Sequence, residues 1–356
     1  MQALTSPGSI MGPGDRVLVT GASGFIGARL VERLVDHGHR NLCVFIRPSS
    51  PVASLEAVAA RMPAGSRLDI VTGNLLSRED CVRACADVAV VFHLAAARGE
   101  KSIPDAFMNS VVTTRNLLDA CRQAPTLRRF VNVSSFTVYS NRARRGRLLD
   151  ESGEVETCAR RRANAYAFAK IKQDALVTDY GRRFGIPFVM VRPGYVYGPG
   201  KTAISGRVGI GTFGVFLHLG GGNTIPFTYV DNCADAIWLA GITPGVDGEV
   251  FNVVDDDLPS SRQFLRLYKR QVRPFTSLYV PHALSYALCW MWEAYSRWSQ
   301  GQVPAVFNRS LWHAYWKQTR YTNRRAKALL GWSPQVTTAE ALSRYFRACR
   351  RDTAHA

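Results

Sequence analysis

The sequence predicts an α/β protein in which helices cover both faces of a parallel sheet. Strand-like apolar runs occur at residues 16–20, 42–46, 68–72, 88–94, 129–133 and 186–191. Helix-like segments lie between them, at 25–38, 52–62, 78–86, 106–123 and 164–183. Several runs are apolar throughout, as expected for strands buried on both faces. A glycine-rich turn joins the first run to the first helix, so we expect a doubly wound Rossmann-type sheet over residues 15–193.

The alternation of strands and helices ends after residue 193. Residues 194–228 are glycine-rich and predicted to be irregular, 229–241 are predicted to be helical, and 249–254 form one more strand. The remainder, to about residue 350, is mostly helical and rich in Trp and Tyr. We expect a smaller, mostly helical substrate-binding lobe over 194–350, with 229–254 returning to the first domain. Residues 1–14 are expected to be a flexible N-terminus.

The composition is that of a globular protein with a strong positive charge. The 356 residues are 47% hydrophobic, which is enough for one large core or two unequal ones. A net charge of +18 favours phosphate-bearing ligands, an anionic membrane surface or nucleic acid. No nucleic-acid motif accompanies the charge, so no nucleic-acid partner is expected.

The cysteines and the N-terminal residues point to an intracellular protein. The eight cysteines are scattered without a CxxC pair, so neither a disulfide framework nor a metal site is expected. Residues 1–14 lack the charged start and apolar run of a secretion signal. A cytoplasmic location is expected.

Gly21, Gly24 and Gly27 form the turn between the first strand and the first helix. Glycines at such a junction permit a tight turn and a close approach of backbone N–H groups to a pyrophosphate. The turn therefore predicts a dinucleotide site. Its other members are Ser23, Phe25 and Ile26.

Arg47 follows the second strand, twenty residues past Gly27. Sites that prefer NAD place an acidic residue there for the ribose 2′-hydroxyl, whereas an Arg accommodates a 2′-phosphate. We therefore expect NADP(H), with NAD(H) as the alternative. The alternative interpretation is that Arg47 has no role in cofactor binding and is simply a solvated residue at the end of the strand.

Tyr166 and Lys170 are four residues apart and share one face of a predicted helix. A free phenol is a weak base at neutral pH, and a nearby ammonium lowers its pKa by stabilising the phenolate. Ser135 follows the strand-like run before this helix, at the end of the sheet where ligands bind. The three residues predict proton transfer to or from a carbinol oxygen.

These segments together resemble the extended short-chain dehydrogenase/reductase family, the NAD(P)-dependent epimerase/dehydratase group. The similarity covers nearly the whole chain. It rests on TGASGFIG (20–27), GNL (73–75), FHLAA (92–96), the region of Asn109, VSSFTVY (133–139), YAFAK (166–170), VRPGYVYGPG (191–200) and YVDNCADAI (229–237).

The resemblance implies a role for each matched residue. Ser135, Tyr166 and Lys170 would act at a substrate carbonyl, and Lys170 would also hold the nicotinamide ribose. The residues implied along the cofactor, besides Tyr166 and Lys170, are Gly21 to Gly27, Asn74, Leu75, Leu94, Ala95, Ala96, Asn109, Val133, Pro193 and Gly194. The residues implied near the substrate are Ala97, Thr137 and Tyr195.

Three departures from the family pattern bear on the ligands. Asn74 stands where an Asp is usual on the adenine side. Tyr195 stands where nucleotide-sugar members carry an Asn, and residues 220–227 lack the Arg of those members. The last two differences resemble the 3β-hydroxysteroid-dehydrogenase and ketoreductase branches. Lys201, Arg207 or the arginines within 142–147 and 160–162 could still meet a diphosphate.

Three hypotheses on function follow. The favoured one is hydride transfer between NADP(H) and a secondary alcohol or ketone of a fairly apolar, sterol-like substrate. The second is a nucleotide-sugar epimerase, dehydratase or reductase that uses the same site. The third is a non-catalytic cofactor-sensing protein, against which an intact Ser–Tyr–Lys set argues.

Residues 283–298 carry an apolar stripe at helical spacing, too short and interrupted for a membrane span. The favoured interpretation is a helix in the core or lining the substrate pocket. The alternative is peripheral contact with a membrane surface, aided by the basic charge. A homodimer is also compatible with the sequence.

Overall fold

The central feature of the fold is one seven-stranded parallel sheet. The computed structural model describes residues 8–96, 102–141, 146, 148–157, 164–300, 302–303 and 307–354. Its strands are β1 (Arg16–Thr20), β2 (Asn41–Ile46), β3 (Arg67–Thr72), β4 (Val88–His93), β5 (Arg129–Val133), β6 (Leu148–Leu149), β7 (Phe188–Pro193), β8 (Tyr195–Tyr197), β9 (Gly209–Thr212), β10 (Val215–His218), β11 (Phe227–Tyr229), β12 (Val250–Val253), β13 (Ser277–Tyr279) and β14 (Arg320–Tyr321).

The strand order in the central sheet is β12–β7–β5–β4–β1–β2–β3, with every neighbouring pair parallel. The predicted Rossmann-type α/β fold is therefore confirmed. The chain order reverses between β1 and β4, so the ends of these strands form the crevice where such sheets bind ligands. β12 comes late in the sequence yet pairs with β7 at the edge of this sheet.

Helices cover both faces of the sheet. The α-helices of the described residues are α1 (Phe25–Asp36), α2 (Ala53–Ala59), α3 (Arg78–Cys85), α4 (Ile103–Ala106), α5 (Thr113–Cys121), α6 (Ala165–Phe184), α7 (Val230–Ile242), α8 (Ser261–Gln271), α9 (His282–Trp298), α10 (Arg309–Tyr315), α11 (Arg324–Leu330) and α12 (Thr338–Ala354). Side chains alternate along β1: Val17 and Val19 join the core under α1 and α7, whereas Leu18 joins the core under α3, α5 and α6.

The helix predicted over 106–123 is not a single regular helix. A π-helical turn at Phe107–Val112 separates α4 from α5 and packs against α6. Insertions of this kind are frequent at functional sites. Asn109, the predicted cofactor residue, lies in this turn and is exposed.

The segment 194–228, predicted to be irregular, contains four short strands. β8 pairs with β11 in parallel, and β9 pairs with β10 through a two-residue turn. The two turn residues, Phe213 and Gly214, have φ values of 45° and 75°. A tight hairpin needs positive φ at both positions, which usually calls for Asn-Gly or Asp-Gly. The prediction was wrong because Phe-Gly does not carry that signal.

The first described residues are tied to the domain. The Ile10 amide donates to the Ile242 carbonyl at 3.0 Å, and the Arg128 guanidinium donates to the Ile10 carbonyl at 2.7 Å. Met11 is buried. Ile10 and Met11, which belong to the terminus expected to be flexible over 1–14, are therefore held by contacts with the domain.

The core interpretation of the stripe in 283–298 is wrong. α9 covers these residues, but Leu284, Leu288, Met291, Tyr295 and Trp298 are all exposed. The residues that α9 buries are Ser285, Cys289 and Ser296. Among the described residues, no helix is both long enough and apolar enough to cross a membrane.

Candidate functional site

The glycine-rich turn lies at the carboxyl end of β1, beside the end of β4. Gly21 has a φ of 71°, and a Cβ there would lie 2.9 Å from the Ala95 amide nitrogen. A Cβ on Gly27 would overlap the Gly21 carbonyl oxygen. Gly24 is the N-cap of α1 and has no side chain that could accept from the first N–H groups of this helix. Those N–H groups are therefore available to an anion. The turn fits a pyrophosphate.

The loop after β3, which the sequence predicts to lie on the adenine side of the cofactor, is held by Asp80 and Asn116, two residues outside the predicted site. The Asp80 carboxylate accepts from the Asn74 amide at 2.7 Å, and this hydrogen bond is the main reason for the lowered pKa of Asp80. The Asn116 amide group donates to the Leu75 carbonyl at 3.0 Å. Asn74 is exposed and Leu75 is buried. The loop is thus fixed before any ligand arrives.

Arg47 directly follows β2 and is exposed. Among the described residues, no carboxylate forms an ion pair with its guanidinium. Contact between Arg47 and the ribose 2′ substituent stays a prediction.

The residues that follow β4 form two hydrogen bonds with Thr20, which directly precedes the glycine-rich turn. The Leu94 amide donates to the Thr20 carbonyl at 3.2 Å, and the Ala95 amide donates to the Thr20 hydroxyl at 3.3 Å. Leu94, Ala95 and Ala96 are half-buried along this edge. Ala97 and the arginines predicted within 142–147 and 160–162 lie outside the described residues.

Lys170 lies at the carboxyl end of β5. Its ammonium donates to the Val133 carbonyl at 2.7 Å and to the Gln173 side-chain oxygen at 2.8 Å. Burial lowers the pKa of Lys170 to about 8, opposed by the Asp174 carboxylate. Tyr166 is half-buried, one turn earlier in α6. Ser135 follows two residues after Val133, and its hydroxyl accepts from the Thr137 amide at 3.3 Å.

A buried polar chain links Lys170 to the glycine turn. Gln173 donates to the Thr114 hydroxyl at 2.7 Å, and that hydroxyl donates to the Ser110 carbonyl at 2.5 Å. The His93 ring lies 2.8 Å from both Thr114 Oγ1 and Thr20 Oγ1. Because the Thr114 proton goes to Ser110, we infer that His93 carries its proton on Nε2 and accepts from Thr20 at Nδ1.

His93 is therefore a neutral element of this chain. Burial lowers the pKa of His93 to about 3, with a contribution from the Lys170 charge. Lys170, Gln173, Thr114, His93 and Thr20 form a continuous path from the predicted catalytic lysine to β1. His93 lies in the FHLAA motif, but nothing in the sequence predicted a role for His93 or Gln173.

A second buried cluster fixes the ends of β5 and β7. Asp174 accepts from the Ser134 hydroxyl at 2.8 Å, from the Asn132 amide at 3.2 Å and from the Arg192 guanidinium at 3.1 Å. Burial raises the pKa of Asp174, and Arg192 opposes the shift. The cluster holds the strand ends that lead into Ser135 and Pro193. Asp174 lies four residues after Lys170, so its helical spacing was the available signal.

Pro193 ends β7, and a Cβ on Gly194 would overlap the Pro226 carbonyl oxygen. This close approach brings β8 against β11. The half-buried Tyr195 ring lies 6.0 Å from the Phe227 ring and 4.1 Å from the Lys201 ammonium. The segment that follows Gly194 thus packs aromatic rings together with one cation.

The two cations proposed for a diphosphate have partners within the chain. The Lys201 ammonium donates to the Val196 carbonyl at 2.5 Å. The buried Arg207 guanidinium donates to the Ala314 carbonyl at 2.8 Å and lies 4.8 Å from the Tyr315 ring centre. Among the described residues, Arg207 forms no ion pair with a carboxylate.

The parallel sheet, its switch point and the glycine turn define a dinucleotide-binding α/β protein. The chain belongs to the NAD dependent epimerase/dehydratase family, whose model matches residues 17–253. The resemblance stated from the sequence is confirmed, and with it the prediction of an NAD(P)-dependent enzyme that acts on CH–OH groups.

The curated relatives include enzymes of nucleotide sugars and of 3-beta-hydroxysteroids. An uncharacterised UDP-glucose epimerase of Bacillus subtilis is 29% identical over 255 residues, 67% of this chain and 76% of that protein. A 3-beta-hydroxysteroid dehydrogenase of Mycolicibacterium neoaurum is 29% identical over 201 residues, 54% of this chain and 50% of that protein.

Among solved structures, a variant UDP-glucuronic acid 4-epimerase of Bacillus cereus, in complex with a fluorinated UDP-sugar and NAD, superposes with a TM-score of 0.70. The superposition covers 94% of this chain and 99% of that one, at 22% identity. This likeness shows a shared fold.

Proposed function

We propose that the chain is an oxidoreductase that transfers hydride between NADP(H) and a secondary alcohol or ketone on a fairly apolar, sterol-like substrate. The observation that carries the proposal is the placement of Lys170 at the Val133 carbonyl, one turn after Tyr166 and next to Ser135. Lys170 at the end of β5, with Tyr166 one turn earlier in α6, supports a site that combines a proton donor, a cation and an orienting hydroxyl. The bound cofactor supplies the hydride.

Each residue of the set has a distinct role in the reduction direction. The Tyr166 hydroxyl gives its proton to the substrate oxygen as the alcohol forms, and in oxidation the phenolate takes it back. Lys170 stabilises that phenolate and holds the nicotinamide ribose. Because the pKa of Lys170 is about 8, the ammonium predominates at pH 7. Ser135 donates a hydrogen bond that holds the substrate oxygen toward Tyr166.

The aromatic side chains that follow Gly194 support the proposal of an apolar substrate. Tyr195 directly follows Gly194, and its half-buried ring packs beside Phe227. The large apolar surface of such a ring is compatible with a lipophilic ring system as substrate. The similarity to a 3-beta-hydroxysteroid dehydrogenase supports the same choice.

NADP(H) is proposed as the cofactor because Arg47 occupies the position after β2 and has no acidic partner among the described residues. Arg47→Asp should shift the ratio of NADP(H) to NAD(H) affinity toward NAD(H). An unchanged ratio would show that Arg47 does not contact the ribose.

A nucleotide-sugar reaction at the same site is the second candidate. Arg207 favours it, because a buried guanidinium without a carboxylate partner among the described residues suits an anionic ligand. The similarity to a UDP-glucose epimerase points the same way.

One screen separates the two candidates. Purified protein is incubated with NADPH and ketosteroids or 3-oxoacyl compounds, and separately with UDP- and dTDP-sugars. NADPH consumption with ketones, without a thermal shift from nucleotide sugars, supports the oxidoreductase. Conversion of a nucleotide sugar without net cofactor turnover contradicts it. Tyr166→Phe should abolish either activity and leave NADP⁺ binding largely intact, and surviving turnover would refute the assignment of Tyr166.

A further inference from the structure

α9 has the reverse of the burial pattern expected of a helix packed on a protein core. Its buried residues are Ser285, Cys289 and Ser296. Its large apolar side chains with more than a third of their surface exposed are Leu284, Leu288, Trp290, Met291, Trp292, Tyr295 and Trp298. Water-facing helix surfaces are normally polar, and a contiguous apolar patch of this kind marks an interaction surface.

Hydrogen bonds account for the side that α9 turns inward. The Trp312 indole of α10 donates to the Ser285 hydroxyl at 2.9 Å, and the Ser296 hydroxyl donates to the Val303 carbonyl at 2.6 Å. The ion pair of Glu293 with Arg309, at 2.7 Å, neutralises the acidic residue of α9. The helix is thus fixed with its apolar side outward.

The apolar face continues into β13, which ends three residues before α9. Leu278 and Tyr279 are both exposed, at 60% and 43%. Tyr279 also adjoins the start of α9, because it and His282 both lie beside Gly221. We call α9 and β13 together the aromatic face.

A row of arginines lies beside the aromatic face. α8 is attached to β13 by a hydrogen bond from the Lys269 ammonium to the Ser277 hydroxyl at 2.7 Å. The Arg262 guanidinium lies 5.4 Å from the Tyr279 ring centre. The exposed arginines of α8 and the turn after it are Arg262, Arg266, Arg270 and Arg273. Among the described residues, none of the four forms an ion pair with a carboxylate.

We propose that the aromatic face is a docking surface for an anionic lipid bilayer. Trp and Tyr are the residues preferred at the boundary between headgroups and acyl chains, and arginines attract the negative surface of such a bilayer. The charge argues against a second copy of the chain as the occupant, because two such faces would bring their arginines together. The proposal goes beyond the proposed reaction and does not depend on it.

Vesicle co-sedimentation of the full chain tests the proposal. We expect the protein to sediment with vesicles of equal parts phosphatidylcholine and phosphatidylglycerol, and much less with phosphatidylcholine alone. Binding should weaken as salt is raised, since salt screens the arginines. The triple variant Leu288→Ser/Met291→Ser/Trp298→Ser should bind about tenfold more weakly or worse to the anionic vesicles. The double variant Arg266→Glu/Arg270→Glu should reduce binding to the anionic vesicles and leave sedimentation with phosphatidylcholine vesicles unchanged.

Two controls make the result specific. Leu329→Ser removes an exposed leucine of α11 outside the aromatic face and should leave sedimentation unchanged. NADP⁺ binding and the thermal midpoint of the triple variant should match the wild type, because the three side chains are exposed. Absence of wild-type binding to anionic vesicles at low salt would overturn the proposal. So would a wild-type dimer that the triple variant converts to a monomer, since the face would then be an interface between copies.

Discussion

Gln173→Leu tests whether the buried chain behind Lys170 sets the charge of that lysine. Gln173 is fully buried, and its side-chain oxygen accepts from the Lys170 ammonium at 2.8 Å. Leucine has a similar size but offers no acceptor. A hydrogen bond to a charged group contributes about 1.5–3 kcal/mol. At about 1.4 kcal/mol per pKa unit, its loss should lower the pKa of Lys170 by roughly one to two units.

The consequence can be measured as NADP⁺ affinity against pH, because the ammonium is proposed to hold the nicotinamide ribose. With a pKa of about 8, Lys170 in the wild type is about three quarters protonated at pH 7.5. In the variant the protonated fraction should fall to between roughly a quarter and a few per cent, which weakens apparent binding about 3- to 25-fold. At pH 6 the difference should shrink to about twofold or less.

Two further variants sharpen the test. Gln173→Glu keeps an acceptor and adds a negative charge, so it should move the loss of affinity to higher pH than in the wild type. Lys172→Gln removes an exposed charge from the same helix and should leave the pH dependence unchanged. Superposable pH profiles for the wild type and both Gln173 variants would refute the reasoning.

Three other substitutions follow from the same contacts. Gly27→Ala should reduce NADP⁺ affinity strongly, since the added Cβ overlaps the Gly21 carbonyl oxygen, and wild-type binding measured by titration calorimetry would contradict this. Asp174→Ala leaves the buried Arg192 guanidinium without its partner and should cost about 3–5 kcal/mol of unfolding free energy, measured by urea denaturation. A loss below about 1 kcal/mol would show that the ion pair is not essential to the fold. Asp80→Ala should weaken NADP⁺ binding several-fold by releasing the Asn74 amide, with the exposed Glu79→Ala as the unaffected control.

The sequence predicted the sheet and the glycine turn well because both follow from local rules. Uniformly apolar strands signal a sheet covered on both faces, and glycines at a strand–helix junction signal a turn with close backbone approach. The motif TGASGFIG carries both the required positive φ at Gly21 and the space at Gly27. These are properties of a few consecutive residues, so one chain is enough to find them.

The features that were missed depend on partners far away in the chain. The strands β8 and β11 are three residues each and are stabilised by pairing with one another across about thirty residues. The exposure of α9 depends on hydrogen bonds that Ser285 and Ser296 make with Trp312 and Val303. An apolar stripe at helical spacing has the same appearance whether it faces a core or the outside, so periodicity alone could not decide.

The helix α6, which carries the predicted Tyr–Lys pair, also carries Gln173 and Asp174, whose side chains contact neighbouring parts of the sheet. Gln173 connects Lys170 through Thr114 to His93 on β4, and Asp174 is paired with Arg192 on β7. β4 and β7 are the two neighbours of β5, which carries Ser135 beyond its end. Gln173 and Asp174, one turn of α6 after Lys170, therefore make buried polar links to β4, β5 and β7. Because both links are buried and polar, a change in either should disturb the site together with the stability of the fold.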